Sequence, residues 1–204
     1  MPTEEELDAL IAGAGKKTAS LLQPIKETGM RLGECLSLTW MCVNSEGRII
    51  TLTTAEKHSL PRVFRVSTKL ISMLDYLPRQ SDKVFGKMKN MTAESCIKNT
   101  HQQVSKKPCN PRIAKIHYHL IRHWYGTMEY HKKPDIFYVS KLLGHKSVLT
   151  TQIYINLEKM LFDGPSDDYI VKVAETLDDA IKLMRVGFEF HIEMEGKKLF
   201  RKRK

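Results

Sequence analysis

Apolar residues recur along most of the chain at the three- and four-residue spacing of helices with one buried face. Leu7, Leu10 and Ile11 follow a Thr3/Glu6 capping box, which predicts a short helix ending at the Gly13-Ala-Gly15 break. A second helix is predicted through about Thr28, where Gly29 supplies the stop. A third is predicted from about Arg31 to Leu38, with Leu32, Cys35, Leu36 and Trp40 on its apolar stripe. The period then changes to two. Arg48-Ile-Ile-Thr-Leu-Thr53 and Leu60-Pro-Arg-Val-Phe-Arg-Val66 alternate, and the polar run Thr54-Ala-Glu-Lys-His-Ser59 between them predicts a β-hairpin with a long turn. Helical spacing returns over Thr68 to Leu77, Thr92 to Ser105, His117 to His131, Ile136 to Leu143 and Ser147 to Leu157. Beyond Asp163-Gly-Pro-Ser166, a helix from about Leu177 to Val186 precedes Phe188 to Met194, whose alternation reads as a strand. Glu195-Gly196-Lys197 would turn it into a closing hairpin. The pattern predicts a mainly α fold with a small antiparallel β-sheet or hairpin, without internal repeats.

Composition narrows the class. A chain of 204 residues that is 42% hydrophobic and 27% charged can bury a core and is neither disordered nor fibrous. It has no apolar run of about 18 residues, and its first residues are acidic where a signal peptide is basic, so the reading is intracellular, cytoplasmic or nucleoid-associated, neither secreted nor membrane-bound. Cys35, Cys42, Cys96 and Cys109 lie far apart with no Cys-x-x-Cys pair, which predicts free thiols. Thirty-three Lys and Arg against 23 Asp and Glu leave a net charge of +10, which points to a polyanion, nucleic acid ahead of an anionic membrane.

The charge is also unevenly spread. Between Ser95 and Met128 there is no Asp or Glu, while Lys98, Lys106, Lys107, Arg112, Lys115, Arg122 and four histidines fall there. These five residues from Lys98 to Lys115 are candidate DNA contacts along one phosphate-tracking face. The basic block from Lys197 to Lys204 reads equally as a phosphate contact or as a solvated tail. Acids gather at Glu4, Glu5, Glu6 and Asp8 and again between Glu158 and Asp179.

Chemistry concentrates in two places. His119, Arg122 and His123 stand three and four residues apart and share a helix face, an arrangement suited to clamping an oxyanion. A metal site on His119 and His123 lacks a carboxylate or Cys at partner spacing and has Arg122 beside it, so no metal or other cofactor is expected. Burial of one of the histidines in the core is the plainer alternative. In Leu143-Gly144-His145-Lys-Ser147, Gly144 ends one helix and Ser147 can cap the next, leaving His145 in a tight turn. Tyr154 follows; taken alone it reads as a packing residue, since an unactivated phenol with a pKa near 10 is a poor nucleophile.

The segments Glu27-Thr-Gly-Met-Arg31-Leu-Gly-Glu34, His119-Leu-Ile-Arg122-His123, Leu142-Leu-Gly-His145-Lys-Ser147 and Thr151-Gln-Ile-Tyr154 resemble, in order, the boxes of the tyrosine recombinase family, the phage integrases and Xer-like proteins. A lysine-bearing turn lies between the first two boxes, and the match spans roughly Pro2 to Leu157. The hairpin and the Phe/Arg-rich tail are similar to integrases of archaeal elements. The resemblance implies the family's catalytic-domain fold and DNA strand breakage and rejoining through a 3′-phosphotyrosyl link, with no ATP or divalent metal. It assigns Arg31 and Arg122 to clamping the scissile phosphate, Lys57 to protonating the leaving 5′-oxygen, and His119 to acid/base transfer. It further assigns His145 to a phosphate hydrogen bond and Tyr154 to nucleophilic attack. Glu34 and His123 match supporting positions, where orienting the arginine and packing the helix are equally open.

The organisation implied is a catalytic domain over residues 1–157 and a C-terminal extension over 158–204, with the family's N-terminal DNA-clamping domain absent. Double-stranded DNA is the expected partner, bound weakly and with steep salt dependence, and the tail region suggests an oligomer, a tetramer, on DNA. Two other readings stay open: a non-catalytic DNA-binding regulator of recombination sites, and type IB topoisomerase-like relaxation. RNA binding is disfavoured because no aromatic stacking motif is visible.

Overall fold

The structure is a computed structural model and describes residues 1–53, 60–104, 110–162, 169–194 and 197–203. The chain forms two compact units, Met1–Phe162 and Asp163–Lys204.

In the first unit, Thr3 and Glu6 form the expected reciprocal cap on α1 (Glu4–Gly13), each side chain bonding the other's backbone N–H. Helix α2 (Lys16–Thr28) is buried on nearly every side, with Leu21, Leu22 and Ile25 fully enclosed. At roughly 1.5–3 kcal/mol for each enclosed aliphatic side chain, this helix anchors the unit. A short α3 (Leu32–Leu36) follows, then an antiparallel sheet of β1 (Val43–Asn44), β2 (Ile49–Leu52) and β3 (Arg62–Arg65) in sequential order. The predicted hairpin is present, with Ile50 opposite Phe64 and Leu52 opposite Arg62. Strand β1, two residues long, is too short to leave an alternation in the sequence. The hairpin turn, with Lys57, lies outside the described residues, as do Lys106, Lys107 and Cys109.

Helices α4 (Thr68–Asp75), α5 (Asn90–Val104), α6 (Tyr118–Lys132) and α7 (Ile136–Leu143) complete the packing, with α6 lying against α2. His117 caps α6 through Nδ1, which accepts from the Leu120 N–H. One expectation needs correction: the segment from Ser147 is not a single helix. A 3₁₀ turn (Val148–Thr151) comes first, and α8 begins only at Ile153, running to Phe162. Side chains compete with the helical ladder here, since the Thr150 hydroxyl donates to the Ser147 carbonyl and the Thr151 hydroxyl pairs with His145. Tyr154 therefore stands in the first turn of its helix.

The second unit is a sheet in the order β4 (Tyr169–Ala174), β6 (Lys197–Arg203), β5 (Glu189–Met194), all antiparallel, with α9 (Leu177–Arg185). Ala174, Ala180, Phe188 and Phe200 form its core. The β5–β6 pairing matches the predicted closing hairpin. Strand β4 escaped the sequence reading because its Val171 and Val173 lie inside the acidic stretch from Glu158 to Asp179. Among the described residues, no helix is long and apolar enough to cross a membrane.

Candidate active site

Three helix ends converge to build the site. Gly29 closes α2 and Gly144 closes α7, both in the left-handed conformation that glycine adopts without strain. Each turn frees main-chain carbonyls, and Arg122 on α6 takes up two of them: Nη1 donates to Gly29 and Nη2 donates to Leu143 at 2.8 Å. Arg122 is buried. Burial, and then the charge of Arg31, push its pKa down to about 10, which leaves it charged at neutral pH.

Arg31 stands just before α3, with its guanidinium partly open to solvent. Glu34, fully enclosed, accepts from the Arg31 backbone N–H at 2.8 Å and from its Nη1 at 3.1 Å. The same carboxylate accepts from Nη2 of Arg62 on β3, whose Nη1 donates to the Leu143 carbonyl at 2.7 Å. Glu34 thus joins two guanidinium groups, and the Leu143 carbonyl serves both Arg62 and Arg122. Arg62 is a residue of this cluster that the sequence does not single out. The signal was present in the alternation Leu60, Arg62, Phe64, Val66, which carries Arg62 to the inward face with Phe64 while Val63 points outward.

His145 lies in the turn after α7. An arginine has only donors, so His145 Nε2 accepts from Arg122 Nη2 at 3.1 Å; its Nδ1 then carries the hydrogen and donates to Thr151 Oγ1 at 2.9 Å. Burial and then the charges of Arg122, Arg31 and Arg62 push its pKa down to about 4, so the ring is neutral at physiological pH.

Tyr154 is 1% exposed and packs with Val139 and Leu143 in a small cluster. A side chain at Gly126 would bring a Cβ to 2.7 Å from Cε1 and Cζ of the Tyr154 ring, so glycine there is what lets the phenol lie against α6. Burial raises the pKa of Tyr154, while the positive charges of Arg122 and Arg31 act in the opposite direction. His123 and His145 flank the ring, at 5.7 and 6.3 Å between centroids.

A cleft of about 590 Å³ opens in front of the arginines, lined among others by Arg31, Arg122, His117, His119, Lys98 and Lys115. The structure therefore brings together Arg31, Glu34, His119, Arg122, His123, His145 and Tyr154, with Lys98 and Lys115 along the same wall. Arg112 is placed elsewhere, donating to the Met1 carbonyl and pairing with Glu6 at the start of α1. His101, a second residue the sequence did not single out, also lines the cleft; it is buried and its Nε2 has no partner among the described residues. Nothing in the sequence separates it from the other histidines of its acid-free stretch. No group of three or more His, Cys, Asp or Glu among the described residues could hold a metal ion.

Residues 2–160 match the phage integrase family. The chain belongs to that family. Among its integrase-family relatives, tyrosine recombinase XerC of Pediococcus pentosaceus is 26% identical over 162 residues, covering 72% of this chain and 52% of that protein. Tyrosine recombinase XerA of Pyrococcus furiosus is 27% identical over 159 residues, covering 74% of this chain and 55% of that protein. The integrase fold is matched by the crystal structure of XerA recombinase, with a TM-score of 0.64 at 22% identity over 82% of this chain and 65% of that one. The catalytic domain of bacteriophage HP1 integrase matches with a TM-score of 0.57 at 20% identity, over 82% of this chain and 96% of that one. The chain spans about half the length of the curated relatives it matches.

Proposed function

We propose that this chain is a site-specific recombinase that cleaves and rejoins double-stranded DNA through a 3′-phosphotyrosyl intermediate on Tyr154. The observation that carries the reading is one cluster of side chains, in which Arg122 donates to His145 and, together with Arg31, acts electrostatically on the buried Tyr154. The Arg31 and Arg122 guanidinium groups clamp the non-bridging oxygens of the scissile phosphate and stabilise the charge that grows on them in the transition state. Tyr154 Oη bonds to phosphorus, and the bond to the 5′-oxygen breaks. Lys57 supplies the proton that the leaving 5′-oxygen takes up, His119 assists in acid/base transfer, and His145 hydrogen-bonds the phosphate in the tautomer that carries the hydrogen on Nε2, with Nδ1 accepting from Thr151. The phosphoester is conserved in the tyrosyl link, so the 5′-hydroxyl can reverse the reaction without ATP.

Lys98 and Lys115 extend the cleft's positive wall along the DNA backbone. XerH recombinase bound to its palindromic difH substrate and a lambda integrase dimer bound to a COC′ core site are structural relatives of this chain. By analogy the chain acts inside the cell, in the cytoplasm or nucleoid, as a homo-oligomer on DNA, a tetramer. We further infer that residues 1–157 are the catalytic domain and 158–204 an extension serving oligomer or DNA contacts.

The test is adduct trapping. Incubated with a pool of nicked duplexes of randomised sequence, the protein should form a DNA adduct that survives SDS, and Tyr154→Phe should form none. Adduct persisting in that variant would remove Tyr154 from its role.

A further inference from the structure

A phenol that attacks phosphorus must shed its proton, and Tyr154 is enclosed where water scarcely reaches it. A base must therefore stand against its ring, and two imidazoles do. His145 has both nitrogens committed, Nε2 accepting from Arg122 and Nδ1 donating to Thr151. His123 differs: its Nδ1 is buried and has no hydrogen-bond partner among the described residues. Burial, and then the charges of His119, Arg122 and His117, push the His123 pKa down to about 4, so at neutral pH one ring nitrogen carries a lone pair.

The surroundings supply a path. His119, one turn earlier on α6, meets His123 edge-on with ring centroids 4.2 Å apart, and it is exposed on the cleft. Gly126, three residues beyond His123, receives the Cζ end of the Tyr154 ring, so the hydroxyl-bearing end of the phenol lies against the helix face that carries His123. The three rings run from solvent to core in the order His119, His123, Tyr154.

We propose that His123 takes the proton from Tyr154 during strand cleavage and that His119 connects His123 with solvent. The proposal rests on the strand-cleavage reading given above. As the bond from Tyr154 Oη to phosphorus forms, the Oη–H bond breaks and the proton passes to His123, giving an imidazolium. The electron pair of the P–O5′ bond leaves with the 5′-oxygen, which takes its own proton from Lys57. In rejoining, the proton returns from His123 to the departing phenolate. A phosphodiester held between Arg31 and Arg122 offsets the positive charge that otherwise opposes an imidazolium there, so the base strengthens when substrate arrives.

Two measurements test the relay. In single-turnover cleavage of a nicked duplex taken from the trapped pool, His123→Ala should slow adduct formation by about 100-fold. The slowing should be the same with oxygen or bridging sulfur at the 5′ position, and added imidazole should restore the rate by about tenfold or more. A rate within about threefold of wild type would overturn the proposal, as would a defect cured by the sulfur leaving group or a folded variant that imidazole does not rescue. On the intact, DNA-free protein, ¹⁵N-histidine spectra should show the His123 ring resonances shifting on Tyr154→Phe, and unchanged resonances would overturn the contact. If wild type forms no adduct on any duplex, the strand-cleavage reading fails and the relay with it; adduct formed equally well by His123→Ala rejects the relay alone.

Discussion

Arg31, Arg62 and Arg122 are fastened by Glu34 and by the main-chain carbonyls of Gly29 and Leu143, whereas His123 and His145 stand against the Tyr154 ring with depressed proton affinity. The two sides divide the labour. Permanent charge is held in place by a carboxylate and by main-chain carbonyls, so the proposed clamping of a phosphate would need little reorganisation at the moment of reaction. The His123 and His145 rings are kept neutral by burial first and then by neighbouring positive charge. The arginine side adds to the effect of burial on the histidine side, and Arg122, which binds the Gly29 and Leu143 carbonyls, also donates to His145.

The comparison can be broken from the arginine side first. Arg62→Ala takes one of two guanidinium groups from the enclosed Glu34 carboxylate, and breaking a buried pair of this kind costs about 3–5 kcal/mol. Urea denaturation should show that loss, and a change below about 1 kcal/mol would mean that the remaining partners of Glu34 suffice. Next in size is Arg122→Lys. A lysine cannot reproduce the planar fork that reaches Gly29, Leu143 and His145 together, so adduct formation should fall by about 10²- to 10³-fold in single-turnover cleavage. Full activity in the lysine variant would reduce the clamp to a point charge.

The smallest effect comes from the histidine side. His123 and His145 have pKa values near 4 in the folded chain, against 6.5 when free. The unfolded chain therefore binds protons at a higher pH than the folded one, so the contribution is complete above pH 6.5 and is lost as pH falls toward 4. Both rings are partly solvated, which keeps the effect modest. Thermal melts between pH 7.5 and 4.5 should decline less steeply in a His123→Asn/His145→Asn double variant, and an unchanged slope would show that other groups set the acid response.

Much of this arrangement was legible beforehand, for reasons that differ by element. The Thr3/Glu6 cap, the stops at Gly29 and Gly144 and the alternating hairpin are written in local chemistry, and local chemistry survives folding. The two-residue β1 and the 3₁₀ turn before α8 were not, because one is shorter than its own period and the other arises from hydroxyl bonds between neighbouring turns. Arg31, Arg122, His145 and Tyr154 stood out through the family boxes. Arg62 did not, although its place in the alternation pointed inward, because an arginine on a strand is ordinarily taken as outward. His123 was placed as support, and only the ring geometry around Tyr154 shows which of its nitrogens lacks a partner.

The central claim is that Tyr154, enclosed against Gly126 and faced by Arg31 and Arg122, is the atom-for-atom attachment point for DNA. Digesting the trapped adduct and sequencing its nucleotide-bearing peptide by mass spectrometry tests it directly. The expected result is a 3′-phosphonucleotide on Tyr154; the same group on Tyr125, Tyr138 or any other side chain would contradict the account.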